Sequence, residues 1–229
     1  ATKALGHGDF HILVFAPSSV QEMVDMVIAA FNTADKYRVP AMILADGLLG
    51  QMMEPVTFPE IAAVEYDKSS WAADGHKNKR EHHIINSLYL QATELEAKVK
   101  ERFERYETIK ANETDAELYL TEDCDILLCA YGATARVVKS AVNAAREQGI
   151  KAGMFRPKTL WPFPVKEINE AAKTASKLLC VEMSMGQMVD DVKLAINCSK
   201  PVEFYGRTGG VIPTPVEILE EIKKLGGVQ

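Results

Sequence analysis

Three sets of residues in this chain have the types and spacing to do chemistry. The first is LLCAYGATARVVKSAV (Leu127–Val142), where a short apolar run meets a Gly-Ala-Thr turn and then a helix-patterned stretch. A helix amino end presents unpaired N–H groups and the positive end of its dipole, so such a turn can hold a phosphate. A dinucleotide site needs G-x-G-x-x-G, and a phosphate loop needs G-x-x-x-x-G-K-[ST]. Here Gly132 is the only glycine and no lysine follows within the turn. The expectation is a plain strand-to-helix turn, with Thr134 capping the helix and Ala133 and Ala135 allowing close packing on the strand. What remains is the weak anion affinity of any helix amino end.

The second set lies in three loops. FRPKTLWPFP (Phe155–Pro164) places Arg156, Lys158 and Trp161 among Pro157, Pro162 and Pro164. Proline fixes φ and removes an N–H donor, so this loop is expected to be rigid and to project from a sheet edge. VEMSMGQM puts Glu182 at a strand end with Gly186 near the next helix, and YGRTGGVIPTP carries Arg207. The carboxyl ends of strands in open α/β sheets are where ligands or partner surfaces sit. The guanidinium fork of Arg156 suits a bidentate acceptor, a carboxylate or paired backbone carbonyls.

The third set offers nothing. His7, His11, His76, His82 and His83 have no ligand spacing for a metal, and no grouping of Cys124, Cys129, Cys180 and Cys198 suits a cluster. Cys129 and Cys180 sit in apolar runs and are expected to be buried, reduced thiols of a cytoplasmic protein. No catalytic, cofactor-binding or metal-binding residue is assigned within the chain.

The elements that must position these residues fall into three parts. A chain of 229 residues, 47% hydrophobic, can build one large domain or two small ones. Its 26 basic and 32 acidic residues give a formal charge of −6, which argues against nucleic acid or an anionic membrane as partner. No apolar stretch approaches the roughly 20 residues of a membrane span, and no signal peptide is expected. The start at Ala1 without a methionine reads as processing or truncation.

Residues 1–54 hold one βαβ unit. A strand over His11–Ala16 leads to a helix opened by Ser19 and Glu22 as a capping box, with Ser18 the alternative cap, and a second strand runs over Pro40–Ala45. Two strands and a helix cannot cover a parallel sheet, so this unit lacks neighbours. Residues 55–116 form a connector with a long helix over about Asn86–Ile109. Leu88, Ala92, Leu95, Val99, Phe103 and Tyr106 form one face of it, and Glu94–Lys98, Glu96–Lys100 and Glu101–Arg105 lie on the other. Residues 117–229 alternate strand and helix four times, with strands at Asp125–Tyr131, Lys151–Arg156, Lys177–Met183 and Val202–Tyr205. That pattern predicts a doubly wound parallel α/β domain.

The three loops, in order, resemble the transketolase carboxyl-terminal domain as it occurs in 2-oxoacid:ferredoxin oxidoreductases. Gly6–Val56 is similar to the end of the thiamine pyrimidine-binding domain in the α subunit of those enzymes, and Glu81–Glu107 resembles that subunit's connector. The wording GQMMEPV and WPFP is closest to the branched-chain (2-oxoisovalerate, or ketoisovalerate) type, with 2-oxoglutarate and pyruvate as alternative substrates. The resemblance implies an oxidoreductase that decarboxylates a 2-oxoacid on thiamine diphosphate with Mg²⁺. Electrons pass through iron–sulfur clusters to ferredoxin, and the acyl group passes to coenzyme A. It implies partners too: a β subunit with the diphosphate-binding domain, a small iron–sulfur subunit and ferredoxin, in a hetero-oligomer. The glutamate that activates thiamine lies, in that family, ahead of where this sequence begins.

Asp46-Gly47, with Asn78 further on, mimics the magnesium–diphosphate motif of thiamine enzymes but follows the strand of a pyrimidine-type unit, and reads as a strand-terminating turn. His7, Asp9, Arg156, Lys158, Glu182 and Arg207 are expected at an interface or active-site edge, with Arg156 at a subunit interface on the resemblance. Two functional classes stay open: part of an enzyme subunit that is mainly structural, or a module binding coenzyme A or a nucleotide at its strand ends.

Overall fold

The computed structural model describes residues 6–58, 60 and 64–226; Ala1 and the other positions fall outside it. The first unit is β1 (Leu13–Phe15), α1 (Val20–Tyr37) and β2 (Ala41–Ile43), with β1 and β2 parallel. Both sequence candidates take part in starting α1. The Ser19 hydroxyl accepts the Glu22 N–H (3.1 Å), and Glu22 reaches back to the N–H and hydroxyl of Ser18 (2.8 and 2.9 Å). This is a capping box displaced by one residue.

The connector helix α2 spans Ala92–Asn112, starting six residues after the expected Asn86. Leu88 lies ahead of it and is exposed, and Leu95 is 43% exposed. Only the carboxyl half packs: Tyr106 and Ile109 are buried against β1 and its neighbours. An apolar stripe needs a facing surface, and within the described residues the amino half of α2 has none. On its polar side Lys100 pairs with Glu96 at 2.8 Å, while Lys98 turns to Glu101.

The last part continues through β3 (Ala116–Tyr119), β4 (Ile126–Cys129), α3 (Gly132–Glu147), β5 (Ala152–Pro157), β6 (Thr159–Trp161), α4 (Val165–Ala171), β7 (Lys177–Glu182), α5 (Met188–Ala195), β8 (Val202–Gly206) and α6 (Pro215–Gly226). The four expected parallel strands are β5, β4, β7 and β8 in that spatial order. Two strands went unread. β3 adds an antiparallel edge to β5, a common device on an otherwise parallel sheet. β6 corrects the expectation that the proline-rich loop projects from the sheet edge, because Thr159–Trp161 leaves the five-stranded sheet and pairs antiparallel with β1. The first unit thus gains a neighbour and becomes the three-stranded sheet β2-β1-β6.

Apolar clusters fill both faces of the five-stranded sheet. Leu127, Phe155 and Ile168 centre one, and Leu128, Val138 and Ile218 the other. A third cluster joins Leu13, Val14, Ile109, Leu160 and Trp161, residues from all three parts of the chain.

Candidate functional site at the strand ends

The Gly132 turn holds an anion of the chain's own. The helix α3 begins at Gly132, its N-cap Tyr131 makes no side-chain cap bond, and Thr134 lies buried inside the first turn, so Thr134 is not the cap. The carboxylate of Asp46 takes that place. Its Oδ2 accepts the Ala133 N–H at 3.1 Å, and its Oδ1 accepts the Leu49 N–H at 2.8 Å. Gly132 has φ +60°, and a Cβ there would lie 3.1 Å from the same Oδ2. Glycine is therefore demanded twice, by conformation and by the carboxylate.

The next helix along the strand ends is sealed in the same way. Glu182, 3% exposed at the end of β7, accepts the N–H of Gln187 (3.0 Å) and Met188 (3.1 Å) on Oε2 and that of Val189 (2.9 Å) on Oε1, and the Ser184 hydroxyl donates to Oε2 at 2.9 Å. Between the two carboxylates is a cleft of about 280 Å3 lined by Leu44, Asp46, Tyr131, Glu182, Ser184 and Gln187. Burial first, then the carboxylates of Glu182, Asp46 and Asp191, push the Tyr131 phenol above its usual range, so it stays neutral. Asp46 takes one N–H of the α3 amino end and Glu182 takes three at the α5 amino end, so each end already faces a carboxylate. The cleft opposes anions.

Arg156 lies at the seam between the two sheets. It is 3% exposed. Its Nη1 and Nη2 donate to the two carboxylate oxygens of Glu22 (2.8 and 2.7 Å), Nη1 also to the Ser18 hydroxyl (2.9 Å), and Nε to Glu117 (2.8 Å). The bidentate acceptor is thus internal, on α1. Burial would raise the Glu22 carboxyl, but the Arg156 guanidinium and the Ser18 N–H override it and hold it at about 2. Further bonds follow the seam. The Ala16 N–H donates to the Lys158 carbonyl (2.8 Å), and Glu54 accepts both the Val20 N–H (2.9 Å) and Arg136 (2.6 Å).

The six residues singled out from sequence do not converge on one point. Glu182 and Arg207 are neighbours: the Arg207 N–H donates to the Glu182 carbonyl (3.1 Å) while its guanidinium faces Glu217 (3.4 Å). Lys158 faces Asp115 at 3.4 Å. His7 and Asp9 are exposed and border a separate hollow with Phe10, His11 and Phe103. Asp46 and Glu117, which carry the geometry, went unassigned. Asp46 caps a helix 87 residues away, and no local pattern signals that. Cys129 and Cys180 face each other across β4 and β7, fully buried; their mutual hydrogen bond and burial raise the Cys129 thiol well above the ordinary range. Among the described residues no group of three or more His, Cys, Asp or Glu could hold a metal ion.

A parallel-cored α/β domain fused to a second small sheet, its strand ends closed by carboxylates, defines a class that is not a phosphate-loop protein. The thiamine-diphosphate-binding model of the pyruvate flavodoxin/ferredoxin oxidoreductases matches residues 2–118, and pyruvate:ferredoxin oxidoreductase core domain II matches residues 124–218. The chain belongs to the pyruvate flavodoxin/ferredoxin oxidoreductase family.

It is 44% identical over 98% of its length to the ketoisovalerate oxidoreductase subunit VorB of Methanothermobacter marburgensis. It is 34% identical over 94% to the 2-oxoglutarate synthase subunit KorA of the same organism, and 29% over 94% to the pyruvate synthase subunit PorA of Pyrococcus furiosus. It spans 63%, 64% and 63% of those relatives respectively. The 2-oxoglutarate:ferredoxin oxidoreductase of Magnetococcus marinus shares the fold, with a TM-score of 0.76 at 22% identity over 96% of this chain and 43% of that one.

Proposed function

We propose that this chain is part of the α subunit of a 2-oxoacid:ferredoxin oxidoreductase that converts a branched-chain 2-oxoacid to acyl-coenzyme A and CO2 with reduction of ferredoxin. The single observation carrying this is the identity gradient, 44% to a ketoisovalerate subunit against 34% and 29% to 2-oxoglutarate and pyruvate subunits, over nearly the same span. The complete cytoplasmic complex uses thiamine diphosphate with Mg²⁺. A β subunit brings the diphosphate-binding domain, and a small subunit brings iron–sulfur clusters. The residues of this chain do not fit the diphosphate, because Asp46 and Glu182 fill the helix ends that would hold it and would repel its charge. The part described here is a scaffold: residues 1–54 as the end of a pyrimidine-binding domain, 55–116 as connector, and 117–229 as a transketolase-like domain, welded at Arg156. The charged seam of Arg156, Glu22 and Glu117 sets the orientation in which the α subunit meets its partners.

The test is the complete subunit assembled with its partners, assayed for coenzyme A-dependent reduction of ferredoxin. The expected order of kcat/KM is 2-oxoisovalerate above 2-oxoglutarate and pyruvate, with no turnover by the chain alone. A preference for pyruvate or 2-oxoglutarate overturns the substrate, and turnover by the chain alone overturns the scaffold role.

A further inference from the structure

The strand β8 (Val202–Gly206) forms one outer edge of the five-stranded sheet. Its inner side is fixed by the ladder to β7. Leu178 lies opposite Val202 and its N–H donates to the Pro201 carbonyl at 2.9 Å, while the Arg207 N–H donates to the Glu182 carbonyl at 3.1 Å. Alternate residues of a strand serve alternate neighbours, so Glu203 and Tyr205 face β7, and Val202, Phe204 and Gly206 turn their N–H and C=O groups outward. Among the described residues nothing bonds to those outward groups. Such a row is a template for another strand.

Apolar side chains surround this edge. Phe204 is 38% exposed, with its ring laid against Gly206 and Gly186, and Met185 beside Gly186 is 82% exposed. Val211 and Ile212, in the loop that leaves β8, are exposed as well. Edge strands that stay single are guarded by charge, proline or a bulge. Here Pro201 stands before the strand and Glu203 is its only charge.

We propose that β8 pairs antiparallel with β8 of a second copy of this chain, joining the two five-stranded sheets into one. The edge is complementary to itself about a twofold axis at Phe204. Phe204 then lies opposite the second copy's Phe204, and Val202 opposite its Gly206, so the outward N–H and C=O groups of these residues satisfy one another. Glu203 lies opposite the second copy's Tyr205 and diagonally across from its Arg207, within reach of long side chains. Arg207 is free to take that carboxylate, because its guanidinium holds Glu217 only loosely, at 3.4 Å. The neighbouring registers are poorer. An axis at Glu203 sets two carboxylates against each other, and one at Tyr205 leaves Val202 facing Thr208, beyond the strand. The pairing does not depend on the substrate assigned above.

The test is residue-resolved hydrogen exchange on the whole chain, run beside sedimentation equilibrium from roughly micromolar to millimolar concentration. The mass should rise from one chain to two. As it does, the Val202, Phe204 and Gly206 amides should gain about tenfold protection or more, while Glu203 and Tyr205, already bonded to β7, keep theirs. Phe204→Lys sets two ammonium groups against each other on the axis and should weaken association about tenfold or more. If that variant loses its fold, the exchange pattern of the wild type still decides. A monomer at every concentration, a dimer in which the Val202, Phe204 and Gly206 amides stay unprotected, or protection that appears only when another protein is added would overturn the proposal.

Discussion

The five-stranded domain and the three-stranded unit are both α/β, but they are held together differently. The five-stranded sheet carries its own cover: α4 and α5 pack on one face, α3 and α6 on the other, and Leu127, Leu128, Leu178 and Leu179 are buried between them. The three-stranded sheet is completed from elsewhere. One of its strands, β6, comes from a loop of the other domain, α2 supplies Tyr106 and Ile109 to its core, and Arg156 ties α1 to β5. One region is stable by local succession of strand and helix. The other takes a strand, part of its core and its buried ion pair across the seam.

That contrast can be broken most strongly at Arg156. Arg156→Met leaves Glu22 and Glu117 without their buried partner, and should cost about 3 kcal/mol in the first unit. Denaturant unfolding followed by a probe on α1 measures it. The same contact sets an acid limb. The Glu22 carboxyl is held at about 2 against an ordinary value of 4.5, so its stabilisation is fully present above pH 4.5 and is lost as the pH falls towards 2. Stability from pH 5 to pH 2.5 should therefore fall more steeply in the wild type than in Arg156→Met. Parallel curves would separate Glu22 from the seam.

The next effect is expected at Ile109, which has no exposed surface. Ile109→Ala should cost roughly 2–5 kcal/mol, by lost transfer energy and the cavity left behind. Leu95 shares the apolar stripe of the same helix by spacing, but at 43% exposure its loss to Ala should cost only a few tenths of a kcal/mol. Equal urea midpoints for Ile109→Ala and Leu95→Ala would show that α2 does not anchor the unit by its carboxyl half.

Asp46→Ala should cost about 1 kcal/mol, the usual loss of a helix cap, and open the α3 amino end. Sulfate or phosphate should then raise the melting temperature of Asp46→Ala and not of the wild type. Equal anion effects on both proteins would mean that Asp46 does not guard the cleft.

Much of the five-stranded domain was legible. The apolar runs from Asp125 to Tyr205 are long, alternate with helical stripes and obey near-neighbour rules, so each strand announces itself. β3 was missed because Ala116–Tyr119 is short and half-exposed, without the apolar run that marks a parallel strand. β6 was missed because three prolines make Phe155–Pro164 read as a loop, whereas Pro157 ends one strand and Pro162 follows the next, leaving three residues free to pair. The amino start of α2 was misjudged because periodicity reports a potential apolar face, not the surface that must cover it. At the site, the fork of Arg156 pointed to a bidentate acceptor, but its owner Glu22 lies 134 residues away and was already accounted for as part of a capping box. Asp46 had the same disguise: a turn residue locally, a helix cap at long range.

The seam is tested most directly by native-state hydrogen exchange on wild type and Arg156→Met. Protection of the Leu13, Phe15 and Leu44 amides should fall by about a hundredfold or more, the equivalent of about 3 kcal/mol, while that of Leu128 and Leu179 in the five-stranded sheet holds within a small factor. Equal losses in both sheets, or none in either, would contradict a small sheet held in place by its neighbour.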